Sequence, residues 1–457
     1  MAIKRYYATQ DNTISNAFKS NLTTRGVSGN MGQSDILEVF SIYAQANTSS
    51  SELSRVLIQF DTDKIVTDRT NGIIPASGSV DFFLRMYNAA HSQTTPKNFT
   101  LVASAVSRSW DEGLGLDMEE YSDEDACNWI SATDSVAWTA EGGDYITGTA
   151  ANPLEYSFKQ FFDTGFEDLE INVSHLVEEW ITGPDAGGLN NYGFGVQLTS
   201  SDETEEQSYY TKKFFARGSQ FFHKRPVIEA RFDDSKKDNR GDFFLSSSLV
   251  SATDNLMNLY LYNVVRGQLK DIPSIGTGNI LVNIYSGSTS PVGNKLALPA
   301  GGGVVNNGDI NITGSHVQTG IYSCSFAYNS SSVTTIFDVW HSASVEYHTG
   351  SGISVKTFNS QNYNFDQRYV SKIINLKTNY STKETARFRL FVRSKDFSPH
   401  IYVVASKDIE NTIIDNVYYQ VERSSDGLSV IEYGTGSLNH TRLSYDASGS
   451  YFDLDIG

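Results

Sequence analysis

The chain has 457 residues, 39% of them hydrophobic and 19% charged, with 25 Tyr, 26 Phe, nine Pro and a formal charge of −18. That length exceeds what one hydrophobic core organises, so two or three domains are expected, and the aromatic, proline-poor composition points to β-structure. The negative charge argues against nucleic acid as a partner, the two cysteines (Cys127 and Cys324) do not support a disulfide framework, and neither an export-type apolar core in MAIKRYYATQDNTIS nor a membrane-length apolar run is present.

Ile3–Thr9, Ile36–Phe40 and Arg55–Asp61 are strand-like runs separated by polar Ser, Thr, Asn and Gly stretches. RVLIQFD puts Val56, Ile58 and Phe60 on one face and Leu57 and Gln59 on the other, the pattern of a mostly buried, central strand. Val80–Tyr87 and Phe99–Ser107 follow and are expected to pair with each other. Leu154–Phe158 and Leu169–Val173 are further strands. VSHLVEEWI is the one helix expected in this half, because Val173, Leu176, Val177 and Trp180 recur at helical spacing, with Ser174 as candidate N-cap and Gly183-Pro184 as the stop. Gly193–Leu198, Phe214–Phe215 and Pro226–Phe232 complete the unit, and DDSKKDNRGD, Asp233 to Asp242, contains no apolar residue and marks a charged linker.

Beyond it, Leu256–Val264, Ile280–Tyr285, Tyr322–Tyr328, Ile336–Trp340 and Val345–His348 are short strands with Gly, Ser and Asn turns, the pattern of a β-sandwich. The loop Pro299–Gly308 is glycine-rich but lacks the lysine and strand-to-helix context of a phosphate cradle, so it reads as a turn. After a softer boundary near Lys356–Gln367, a third unit begins at Tyr369, with strands at Ala386–Arg393, Ile401–Ala405, Val417–Arg423, Val430–Tyr433 and Tyr451–Ile456. The last of these is expected either to lie at a sheet edge or to be completed by another chain.

One stretch is unlike the rest. Trp110 to Asp144, WDEGLGLDMEEYSDEDACNWISATDSVAWTAEGGD, holds three of the five tryptophans and eleven acidic side chains without one Lys or Arg. Calcium requires roughly six to eight converging oxygens, which makes Asp117, Glu119, Glu120, Asp123 and Asp125 its candidate ligands, although DMEEYSDED lacks the glycine at the sixth position of an EF-hand loop. The simpler reading is a solvated loop tethered by Trp110, Trp129 and Trp138. A third reading makes those tryptophans, with Asp111 and Glu112, an interface. So many uncompensated carboxylates repel one another, and a basic partner surface or divalent ions would stabilise them. Elsewhere the eight histidines are scattered, His341 and His348 are seven residues apart, and there is neither zinc spacing nor a G-x-S-x-G elbow. No catalytic residue is assigned, and an enzyme is not expected.

The first unit resembles the DNRLRE family, β-sandwich modules similar to some carbohydrate-binding modules. The likeness runs in order through TQDNTISNA, NMGQSDILEV, SRVLIQFD, SWDEG, VSHLVEEWITG, NNYGFGVQL and PVIEARF, over about residues 5 to 233. It implies a jelly-roll-like sandwich and non-catalytic attachment, with the acidic segment as a departure from the family pattern. The third unit, with NLKTNYSTKETARFRLFVR, NVYYQVERSSDG, VIEYGTGS and LSYDASGSYFDLDIG, resembles structural proteins of contractile-tailed marine bacteriophages.

The expectation is therefore an all-β chain: a jelly-roll-like sandwich over 1–233, a linker over 234–242, and two smaller immunoglobulin-like sandwiches over 243–360 and 361–457. The implied role is that of a virion structural protein, made in the host cytoplasm without a signal peptide, at the neck, tail or capsid surface. Its partners would be other virion proteins (portal or neck, tail, or capsid) and further copies of itself, with no nucleic acid and no membrane. The alternative is a glycan-binding adhesin whose partner is a surface polysaccharide.

Overall fold

The computed structural model describes residues 2–93, 95–251, 253–299, 311–357, 366–382, 384–395 and 411–455. The protein is all-β, with sheets that include a half-barrel and a nearly closed barrel, consistent with β-sandwich domains. It divides into two compact units, Ala2–Asp233 with Gly436–His440, and Asp234–Thr435 with 441–457.

The first unit contains β1 (Ile3–Ser15), β2 (Ile36–Tyr43), β3 (Ser51–Phe60), β4 (Asp81–Met86), β5 (Phe99–Val106), β6 (Ser131–Thr133), β7 (Val136–Ala137), β8 (Tyr145–Ile146), β9 (Ser157–Phe162), β10 (Leu169–Asn172), β11 (Phe194–Leu198), β12 (Tyr209–Phe215) and β13 (Val227–Arg231). Its large sheet runs β10-β4-β13-β1-β3-β11-β5-β8, with β9 also on β5 and β12 joined through β2 to β3. β1 serves both halves of this order. Its start pairs with β13, from Ile3 opposite Arg231 to Tyr7 opposite Val227. After a register shift between Ala8 and Gln10, its remainder pairs with β3, Asp11 opposite Ile58 and Ser15 opposite Ser54. A long strand that changes partner at an irregularity is how one chain segment turns the corner of a sandwich.

Alternation along β3 serves two cores. Val56, Ile58 and Phe60 enter the main core with Phe82, Leu84 and Met86 of β4 and Leu101 and Ala103 of β5, whereas Leu57 points to the other face and packs in a second core. Gln59, also on that other face, donates from Nε2 to the Asn191 carbonyl at 2.9 Å. The expected pairing of β4 with β5 is not observed. β4 lies between β10 and β13, and β5 between β11 and β9, because the polar stretch between them carries the chain across rather than into a hairpin.

Three α-helices accompany the sheet among the described residues, the third a short one over Ser200–Thr204. α1 (Thr62–Thr70) begins where the Asp61 carboxylate accepts the Asp63 amide at 3.0 Å; with only Ile65 buried it carries no apolar stripe, which is why sequence periodicity missed it. α2 (Ser174–Thr182) buries Leu176, Val177 and Trp180 as expected and ends at Gly183, whose φ of 71° is a conformation that disfavours side chains. Ser174 is not its cap: it is the first helical residue, and its hydroxyl accepts the Phe82 amide at 2.8 Å and donates to Asn172 Oδ1 at 2.6 Å.

The second unit has an eight-stranded sheet around Ile280–Ser286 and Thr335–Ser342, a four-stranded sheet, and small hairpins. Residues of the two smaller expected domains thus group in one compact unit. Ile312–Gln318 is a strand that its polar sequence concealed. The stretch expected to be a charged linker starts where the chain divides, at Asp234, and groups with this unit. Arg240 donates from Nη1 to Asp338 Oδ1 at 2.7 Å and from Nη2 to Oδ2 at 2.5 Å, and Asp338 is fully buried, so the run lacks apolar residues yet docks through a neutralised charge pair. Gly449–Asp455 pairs with Thr385–Ser394 from Ser450 to Asp455 but with Ser444–Asp446 only over Gly449–Tyr451, so among the described residues Phe452–Asp455 has a strand partner on one side, as expected of an edge. The glycine-rich loop from 300 onward, the expected strand Ile401–Ala405 and most of the expected boundary near 356–367 lie outside the described residues.

Candidate functional site

The segment Trp110–Asp144 is a third layer over the outer face of the β1-β3-β5 part of the sheet. Trp110, Cys127, Trp129, Ala132 and Trp138 form the second core with Ile14, Leu57 and Val106. All three indoles are at most 5% exposed. Trp110 Nε1 donates to the Tyr192 carbonyl and Trp138 Nε1 to the Asn128 carbonyl, each at 2.9 Å, so their polar edges are satisfied inside the layer. The expected tethering is what the structure shows. The interface expectation for Trp110, Trp129 and Trp138 is corrected, since buried rings have no face left for a partner.

Two buried asparagines form the base of the layer. Asn30 Nδ2 donates to the carbonyls of Glu112 and Cys127, both at 2.7 Å, while its Oδ1 accepts the Gly32 and Gly115 amides at 3.1 and 3.0 Å. Asn12 Nδ2 donates to the same Cys127 carbonyl at 2.9 Å and its Oδ1 accepts the Met31 amide at 3.0 Å. Every hydrogen-bonding capacity of Asn30 is used, so it closes the arm 112–127 like a clasp. Gly115 is required here, since a Cβ would stand 2.1 Å from the Asn30 carbonyl oxygen. At the other end, Arg55 of β3 donates to both oxygens of Glu203 at 3.0 and 2.7 Å and to the Gly142 carbonyl at 3.0 Å, with its guanidinium 5.3 Å from the Trp129 ring.

The acidic side chains do not converge. Asp117 Oδ1 accepts the amides of Glu119 and Glu120 at 2.8 Å and of Tyr121 at 3.3 Å, and these amides hold its carboxyl below the ordinary value. Asp123 accepts the Leu114 amide at 2.8 Å, Glu119 the Ser20 amide at 2.6 Å, and Asp144 the amides of Thr139 and Ala140 at 2.9 and 3.0 Å. Among the described residues, no group of three or more His, Cys, Asp or Glu side chains is placed to hold a metal ion. Of the five residues expected to bind calcium, Asp117, Glu119 and Asp123 accept separate backbone amides through one oxygen each, and Glu119, Glu120 and Asp125 are exposed. Asp111 holds the layer by its backbone, its amide donating to the Ala132 carbonyl and its carbonyl accepting the Cys127 amide.

Glu112 is the exception that reaches across. Its carboxylate pairs with Arg217 through both oxygens, Nε to Oε1 at 2.5 Å, and Oε1 also accepts the Asp11 amide at 2.8 Å. Asp11, 1% exposed, accepts the Arg217 amide at 2.5 Å. Burial, reinforced by Glu112, pushes its carboxyl up to about 7 against the pull of the Arg217 amide and guanidinium. A carboxyl perturbed in this way is also how a general acid looks, but the side chain is enclosed and lines neither of the two described grooves.

No protein-family model and no curated protein matches the sequence. Among the described residues no helix is long and apolar enough to cross a membrane.

Arg217 belongs to a strip that the sequence reading passed over. Between Glu206 and Glu229 there is no acidic residue, while Lys212, Lys213, Arg217, Lys224 and Arg225 are interleaved with Phe214, Phe215, Phe221 and Phe222. Lys212 is buried and donates to Asn88 Oδ1 and to the carbonyls of Gly165 and Glu167 at 2.7–2.9 Å, and Lys213 pairs with Glu38 at 2.8 Å. Of the remaining cations, Arg217 pairs with Glu112, and Lys224 and Arg225 are half-buried beside exposed rings, with Arg225 Nε donating to the Ser219 carbonyl at 2.8 Å. Phe221 and Phe222 are 44% and 43% exposed; Lys224 Nζ lies 5.3 Å from the Phe215 ring centre, and the Arg225 guanidinium 5.6 Å from that of Phe222. Neither Lys224 nor Arg225 forms an ion pair among the described residues. The signal was available: a basic, acid-free, phenylalanine-rich run in a chain of charge −18.

Proposed function

We propose that the protein is a non-enzymatic structural component of a tailed-bacteriophage particle, made in the host cell and carried at the neck, tail or capsid surface with other virion proteins and further copies of itself. The observation that carries this reading is the construction of Trp110–Asp144. Its tryptophans are core, five of its carboxylates (Glu112, Asp117, Glu119, Asp123 and Asp144) secure a backbone amide or an arginine, and what it offers outward is a shaped, charged wall. Such a segment serves recognition by shape and charge, the currency of particle assembly. The likeness of the third expected unit to phage structural proteins and of the first to DNRLRE modules supports the same context. The test is co-sedimentation of the full chain with purified tailed particles, followed by cross-linking to neck, tail or capsid proteins. A chain that stays in the supernatant and yields no such cross-links sinks the proposal.

The second reading, a glycan-binding adhesin, is favoured by Phe221 and Phe222 beside Lys224 and Arg225, since exposed rings stack on sugar faces and cations pair with uronate groups. Glycan-array binding by the full chain that is lost in Phe221→Ala/Phe222→Ala would establish it.

A further inference from the structure

Two surfaces of the first unit complement each other in charge and in apolar content. One is the arm closed by Asn30, where Leu114, Leu116 and Tyr121 are 76%, 46% and 60% exposed among the exposed acids Glu119, Glu120, Glu124 and Asp125. Asp117 and Asp123 secure its backbone from within, so the arm is shaped before it meets a partner and loses little freedom on docking. The other is the strip of Phe221, Phe222, Lys224 and Arg225. Cations lying along aromatic rings are less hydrated than free ones and stay available to carboxylates.

We propose that the occupant of this strip is the acidic arm of a second copy of the chain. Tyr121 and the two leucines meet the exposed phenylalanines, and the carboxylates meet Lys224 and Arg225. Within one copy, the Glu112–Arg217 pair ties the base of the arm to the segment that leads into the strip, so each copy carries both halves on one unit. That arrangement suits a reciprocal contact about a two-fold axis, in which every arm finds a strip. A polyanionic glycan would satisfy the cations but leave Leu114, Leu116 and Tyr121 without partners, which is why the second copy is the better fit. The contact deepens the assembly reading and takes its purpose from it, but it is a property of the purified chain and is tested separately.

The experiment is sedimentation velocity and native mass spectrometry of the full-length protein. The expected result is a dimer, weakened about 100-fold or more by Lys224→Glu/Arg225→Glu and likewise by Glu119→Lys/Glu120→Lys, because each reversal sets like charges against each other. An equimolar mixture of the two variants should associate again, since both contacts of the mixed pair regain opposite charges; this recovery also shows that both variants are folded. A wild-type chain that is monomeric at about 100 μM, or a dimer indifferent to both reversals, overturns the proposal. So does a monomer that binds alginate or heparin through Lys224 and Arg225, which would assign the strip to a glycan. A dimer that stays off particles refutes the particle role alone, and a monomer found on particles refutes the two-fold contact alone.

Discussion

Replacing Trp129 by alanine separates the second core from the first. Trp129 is 4% exposed, packs on the face of β3 opposite the main core, and carries the Arg55 guanidinium 5.3 Å from its ring. Truncating a buried tryptophan costs roughly 3–5 kcal/mol, and loss of a partly desolvated cation–π contact adds about 1 kcal/mol. Val56, Ile58 and Phe60 lie on the other side of the strand and keep their neighbours. The expected outcome is therefore local. Amides that staple the layer, such as Trp138 to Ile130 and Gly142 to Trp129, should exchange about a thousandfold faster, which corresponds to roughly 4 kcal/mol, while β3 and β11 amides retain most of their protection. Hydrogen exchange read by mass spectrometry on peptides spanning 108–145 and 51–60 tests this, with Trp180→Ala as the contrasting lesion in the main core. A less than about tenfold change in 108–145, or equal loss of protection in both regions, would refute a separable second core.

Two further expectations concern charge. Glu229 is 1% exposed; burial alone would raise its carboxyl, yet Arg5, Arg85 and Arg231 together draw it down to about 2. Glu229→Gln should cost about 3–5 kcal/mol near neutrality, and because the wild-type contribution is present above the ordinary value and lost as pH falls through about 2, urea titrations should show the difference shrinking below pH 4.5; a constant difference would contradict this. Asp11 has the opposite sign. Its raised carboxyl favours the fold below 3.8 and loses that contribution as pH rises through about 7, so Asp11→Asn, which still accepts the Arg217 amide, should raise stability by up to ~4 kcal/mol at pH 8 and by progressively less toward pH 4; parallel melting curves of the two proteins across that range would rule it out.

What was legible in the sequence is what short-range alternation encodes. RVLIQFD announces both of its faces, and the two faces do enter two cores, although the second core's other wall lies far along the chain. α2 was readable because Leu176, Val177 and Trp180 form a stripe; α1 was not, because its stability comes from the Asp61 cap and from Arg69 paired with Glu178 of α2 at 2.6 Å. The fate of DDSKKDNRGD was hidden for a related reason. Lack of apolar residues implies solvation only if the charges find no buried partner, and Asp338 sits about a hundred residues away. The terminal strand pairs on both sides over Gly449–Tyr451 and on one side beyond it, a difference that alternation does not encode.

The acidic segment shows where such reading stops. Its composition announces eleven carboxylates but not their assignments, and those assignments decide its chemistry. A loop of this charge could fold on the sheet only if its repulsion were relieved piecewise. Backbone amides take Asp117, Asp123 and Asp144, Arg217 takes Glu112, and the buried tryptophans and asparagines supply the cohesion that the charges oppose. Relief of this kind consumes the inner carboxylates and leaves Glu119, Glu120, Glu124 and Asp125 at the rim. Repulsion among these rim groups remains when the chain is alone, and it falls wherever a basic surface closes over them. The strip that ends in Lys224 and Arg225 is a basic surface carried by every copy of the same chain, so in the proposed two-fold contact the electrostatic cost of building the layer would become part of the driving force for association.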